Sequence, residues 1–217
     1  VADAYICRGL SYLHLKDTVR AYENFNTAIR TNRESPNGYN RRGGLYLEQH
    51  RYPEAEADFN KAIECDSTYL LSFFNRALVY NATNRPMLAL KDFDRVIQLD
   101  STNSLTYFNR AMLRTQIGDY NRALEDYDRV ALYSPNNVLV YYNRAGVHAQ
   151  LGEIEAAVKD YSEAIRLYPD FANAYLYRGQ LRELLRDPKG AKSDRETAQK
   201  KIAEYRARLS DSTYSIF

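Results

Sequence analysis

The 217-residue sequence predicts an all-α solenoid made of six tandem helix-turn-helix units and a C-terminal helix. Three observations carry that expectation. Landmark residues recur at a fixed step of 34 with no insertion: a small residue at Gly9, Gly43, Ala77, Ala111, Ala145 and Gly179, and an alanine at Ala21, Ala55, Ala89, Ala123, Ala157 and Ala191. An aromatic keeps the same step at Tyr5, Tyr39, Phe73, Tyr107, Tyr141 and Tyr175. Within each unit, apolar and small residues fall at helical spacing in two halves. Between the halves stand residues suited to a left-handed stop, Asn84, Gly118 and Gly152, and Pro135 and Pro169 close two of the units.

The units are expected over 2–35, 36–69, 70–103, 104–137, 138–171 and 172–205. In the first, Ser11 stands where later copies place Leu45, Val79, Leu113, Val147 and Leu181, and a polar residue there fits an end with nothing stacked on it. The second opens on Ser35-Pro36, an N-cap followed by proline at the first helical position. The fourth and fifth have both the turn glycine and the closing proline. In the sixth, Lys192, Arg195 and Gln199 occupy the face where earlier copies offer Phe59, Phe93, Tyr127 and Tyr161, so that face is built for water. Its helix is expected to continue to about Leu209, with Ala198, Ile202, Tyr205 and Leu209 at near-heptad spacing, as a capping helix or, alternatively, a self-pairing seam. A flexible tail is expected over 210–217.

A 34-residue helical hairpin with these aromatic, small, alanine and proline positions resembles the tetratricopeptide repeat family, in six copies covering residues 2 to about 205. The resemblance implies a right-handed superhelical solenoid with a concave groove that binds proteins or peptides. It also allows one of the family's binding modes to be set aside. The clamp for acidic chain termini needs Asn at a first-helix site occupied here by Leu10, Gly44, Leu78, Met112, Gly146 and Gln180, so recognition of an EEVD-like terminus is not expected.

Composition excludes several function classes. Thirty Lys and Arg against 28 Asp and Glu leave a net charge of +2, which gives no electrostatic footprint for nucleic acid or an acidic membrane. No apolar run approaches the ~20 residues of a membrane helix, and the first residues show no secretory signal pattern, so a soluble chain is expected. Cys7 and Cys65 have no CxxC partner and are expected to be buried or half-buried free thiols. His14, His50 and His148 fall in separate repeats without a second ligand at helical spacing, so no metal site, no cofactor and no His-based catalysis are expected. Nucleotide-binding and nucleophile-elbow motifs are missing, and the chain is not read as an enzyme.

Two sets of positions recur beyond the needs of helix packing. Arg42, Arg76, Arg110, Arg144 and Arg178 each precede by 16 residues an acid, namely Asp58, Asp92, Asp126, Asp160 and Asp194; the first copy pairs Arg8 with Asn24. In a hairpin these sites lie at similar heights on facing helices, so structural ion pairs are expected, with a ligand-facing arginine row as the alternative. The second set lies on the face that the resemblance assigns to the groove. It comprises Asn75, Asn109 and Asn143, preceded by Phe74, Phe108 and Tyr142, with Leu71, Leu105 and Leu139 a turn earlier and Arg41 and Tyr177 at the flanking copies of the Asn site. A row of carboxamides matches the donors and acceptors of an extended peptide, while the alternative is that each Asn bonds a neighbouring repeat. The function expected is a non-catalytic protein-protein interaction module, monomeric rather than dimeric, that binds an extended peptide segment. A scaffold using the convex face or last helix is the competing class, and a nucleic-acid-binding helical repeat a remote one.

Overall fold

A computed structural model describes the backbone of residues 1–214 and the side chains up to Leu209. Among the described residues there are twelve α-helices and no strand. They run α1 Ala2–His14, α2 Thr18–Thr31, α3 Pro36–Glu48, α4 Tyr52–Cys65, α5 Leu70–Ala82, α6 Pro86–Leu99, α7 Ser104–Gln116, α8 Tyr120–Tyr133, α9 Val138–Gln150, α10 Ile154–Leu167, α11 Ala172–Leu184 and α12 Pro188–Tyr214. The last helix thus passes Leu209, and the tail expected to be flexible is helical as far as Tyr214; 215–217 lie outside the described residues. No described helix is long and apolar enough to cross a membrane.

Each helix pair is joined by a turn with one residue in the left-handed region, and those residues again keep the 34-residue step. Gly118 and Gly152 adopt φ of 81° and 76°, and Asn84 adopts 56°. Lys16, His50 and Arg186 take the same conformation at φ 60°, 58° and 59°, although the sequence offers no glycine there. The turn is therefore imposed by the packing of the pair, and a side chain with a Cβ bears the cost. The second helices α2, α4, α6 and α10 end differently, on a residue in extended conformation. At two of these ends the residue is Asp66 or Asp100, whose carboxylate accepts from the backbone and hydroxyl of Thr68 or Thr102 and so closes the connecting loop.

The helices gather into two compact units, Val1–Thr106 and the chain from Tyr107 onward. In both, the inner helical positions obey one rule. The repeated alanines Ala21, Ala55, Ala89, Ala123, Ala157 and Ala191 are fully buried, which lets the helices of a pair approach closely. The large residues Phe25, Phe59, Phe93, Tyr127 and Tyr161 fill the space beside them at 0–4% exposure. At Gly9 a Cβ would lie 2.5 Å from the Phe25 ring, so only glycine admits that ring in the first pair. Leu45, Val79, Leu113, Val147 and Leu181 are buried, while Ser11 in α1 is exposed and turns its hydroxyl back to the Cys7 carbonyl.

Every arginine of the repeated set reaches its own pair's acid. In unit 1, Arg42 donates through Nε and Nη2 to Asp58 at 2.7 and 2.6 Å, and Arg76 does the same to Asp92 at 2.7 and 2.8 Å. In unit 2, Arg110, Arg144 and Arg178 hold Asp126, Asp160 and Asp194 with the same fork, at 2.6–2.9 Å. Arg8 donates to Asn24, the neutral substitute. A third bond goes unannounced by the 16-residue spacing. The remaining nitrogen, Nη1, crosses to the second helix of the preceding pair: Arg42 to Asn26, Arg76 to Asn60, Arg144 to Asp128 and Arg178 to the Ser162 hydroxyl. Most of these guanidiniums also lie over an aromatic ring three residues earlier, as Arg144 over Tyr141 at 5.5 Å. The planar fork thus ties two helices of one pair to a neighbour, a geometry that lysine cannot reproduce.

Candidate functional site

Unit 2 contains a cleft of about 570 Å³ between the first helices α7, α9 and α11, floored by α8 and α10. It exists because small residues occupy the facing positions of α9, Gly146 and Ala149, while Met112 and Thr115 of α7 and Gln180 of α11 stand at its sides. Its walls are aromatic: Tyr142, Tyr161 and Tyr177 lie within 6.1 Å of one another, centroid to centroid, with Tyr161 and Tyr177 stacked at 18°. Phe171 supports Tyr142 from behind at 4.6 Å. None of the described lining residues is Asp, Glu, Lys, Arg or His.

Burial dominates the chemistry of these phenols. It pushes the pKa of Tyr127 up to about 12, and raises those of Tyr161 and Tyr142, each with a further push from neighbouring tyrosines. All three hydroxyls therefore remain protonated and can donate. Asn143 is half-buried in the cleft wall, and its carboxamide makes no hydrogen bond to a described residue.

The residues expected in the groove divide. Tyr142, Asn143 and Tyr177 line the cleft. Phe108, Asn109 and Leu139 belong to the same unit but lie outside its lining; Phe108 packs edge-on against Tyr127 at 6.0 Å, and Leu139 is half exposed. Arg41, Leu71, Phe74, Asn75 and Leu105 belong to unit 1. There Phe74 packs on Phe93 at 5.8 Å, and Asn75 donates its amide to Asn40 of the preceding pair at 3.2 Å, the inter-repeat bond of the alternative reading. Arg41 is half-buried with Nε enclosed and without a hydrogen-bond partner.

Cys7 corrects an expectation: on α1 it is exposed, with no described residue covering it; Cys65 is half-buried and lies 3.6 Å from the Arg33 carbonyl. His148 bonds Glu153 at 2.6 Å and His50 meets the Tyr52 hydroxyl at 3.1 Å. Gly146, Met112 and Gln180 also line the cleft, at a position that the sequence marks only as the place where a carboxylate clamp is missing. The signal available was the irregularity of that position, Leu78, Met112, Gly146 and Gln180 in successive repeats, in a chain whose other landmarks hardly vary.

Three segments match family models: 36–69 and 105–137 match models described as tetratricopeptide repeat, and 147–185 one described as TPR repeat. No curated protein matches the chain. Among solved structures, Pseudomonas aeruginosa pilF superposes with a TM-score of 0.79 at 19% identity, covering 95% of this chain and 97% of that one. The C-terminal part of a TPR repeat-containing protein from Cytophaga hutchinsonii gives 0.80 at 18%, covering 95% and 82%. YrrB, described as a TPR protein with an unusual peptide-binding site, gives 0.68 at 23%, covering 80% and 90%. At these identities the likeness concerns the fold.

Proposed function

The chain belongs to the tetratricopeptide repeat family, and from that premise we propose that it is a non-catalytic module holding an extended segment of a partner protein in the cleft of its second unit. The observation that carries this reading is the cleft itself: an uncharged hollow with aromatic walls, where the half-buried Asn143 carboxamide makes no hydrogen bond to a described residue. Asn143 offers both a donor and an acceptor to a peptide unit. Tyr142 and Tyr177 offer apolar area with hydroxyls at the edge, the combination favoured at interfaces. The likeness to a peptide-binding repeat protein supports the same reading.

The test is panning of a random dodecapeptide display library on the intact chain, followed by affinity measurement of selected peptides against Asn143→Ala. Selected peptides should bind with modest affinity, on the order of micromolar, since ordering a flexible segment offsets much of the contact energy. Asn143→Ala should weaken them by about 1–3 kcal/mol, the cost of leaving a buried partner group unpaired. Peptides that bind the variant unchanged would move the site elsewhere.

A further inference from the structure

Gly146 lies within α9, where glycine weakens a helix relative to alanine. Packing demands glycine at other positions, as the Phe25 ring does at Gly9. At Gly146 a Cβ would meet nothing nearer than the Tyr161 hydroxyl at 3.8 Å. What the missing side chain leaves is therefore space in the cleft, which the Met112 side chain takes up at the same position of the preceding repeat.

Beneath that space lies Tyr161, only 4% exposed, whose hydroxyl makes no hydrogen bond to any described residue. The same position in the first three repeats is Phe25, Phe59 and Phe93, so a bare ring satisfies the packing and the hydroxyl is an addition that the fold does not use. The ring is buried but its hydroxyl opens on the cleft, and a segment that covers it must accept from it or leave the donor unpaired at a cost. The surroundings fix what that can be. With no ionised group in the lining, a charged side chain entering the cleft would lose its hydration with no counter-ion to replace it, whereas a carbonyl oxygen and an apolar side chain lose little.

Resting on the cleft as the peptide site, we propose that the space over Gly146 is a subsite for one uncharged, apolar side chain of the bound segment, and that the Tyr161 hydroxyl donates to a backbone carbonyl of the same segment. The partner segment is thus a neutral extended stretch with an apolar anchor, held by Asn143 and Tyr161 through its backbone and by the Tyr142 and Tyr177 rings through its anchor.

The peptides selected on the intact chain provide the test. They should share an apolar residue flanked by uncharged ones, and changing that residue to Lys or Glu should abolish binding. Gly146→Leu fills the subsite and should weaken binding at least about tenfold, with a melting temperature unchanged or raised, since the added Cβ displaces nothing. Tyr161→Phe, the residue that three other repeats carry, should keep the fold and weaken binding about three- to tenfold, the range for one neutral hydrogen bond. Selected peptides with a conserved charge at the anchor, or full binding by Gly146→Leu or Tyr161→Phe, would overturn this subsite while leaving the cleft as the binding site. A library that yields no binder would overturn the cleft reading and the subsite with it.

Discussion

Lys16 and Arg186 show most directly how single residues answer to the repeat. Both are exposed, both carry φ near +60°, and the equivalent turns at 118 and 152 have glycine. An L-residue in this region costs ~1–2 kcal/mol, and glycine returns part of the gain through its larger unfolded-state freedom. Lys16→Gly or Arg186→Gly should therefore raise the stability measured by urea unfolding by about 0.5–1 kcal/mol. Asp126 predicts the opposite sign. Its carboxylate is 2% exposed and accepts from Arg110 at 2.6 Å and Arg114 at 2.7 Å. Asp126→Ala should cost about 3–5 kcal/mol, because it withdraws the charge from two guanidiniums enclosed beside it. The 16-residue interval made the Arg-Asp partnership legible, since hairpin geometry turns a fixed interval into a height. The third bond of each fork was not legible: Asn26, Asn60, Asp128 and Ser162 differ in type, and only the stacking of pairs brings them to Nη1.

At the scale of elements, α12 shows where pattern stops being informative. Its first turns are fixed by burial of Ala191, Asp194 and Ala198, which repeat spacing anticipated, and Lys201 adds a bond to Asp170 at 2.6 Å. Beyond that point Tyr205 and Leu209 are 62% and 50% exposed, and the helix runs on to Tyr214. Among the described residues, the near-heptad positions Tyr205 and Leu209 therefore form no buried seam. Replacing Tyr205 and Leu209 by Ser should change stability by no more than about 0.5 kcal/mol and leave the mass in light scattering at that of one chain. A mass of two chains that falls to one on substitution would shift the functional reading to a scaffold assembled through α12. In the first helices, the amide row shows the reverse limit. Asn75, Asn109 and Asn143 look equivalent in sequence, yet Asn75 is engaged by Asn40 while Asn143 faces the cleft, because each residue's surroundings are set by neighbours that the repeat does not hold constant.

For the molecule as a whole, charge is abundant but neutralised locally. Thirty cations and 28 anions leave +2, and the repeated arginines spend their charge on carboxylates inside the helix pairs. The cleft contributes no ionised group of its own. Binding there should consequently rest on apolar burial and neutral hydrogen bonds, which salt screens little, whereas phosphate recognition releases counterions and weakens steeply as salt rises. The affinity of a selected peptide, measured by fluorescence anisotropy at about 50 mM and about 500 mM salt, should change less than about twofold, since the Debye length falls across that range without touching an uncharged contact. A change of tenfold or more would show that charges outside the cleft hold the ligand, and would return the half-buried Arg41, or a nucleic-acid partner, to the centre of the functional reading.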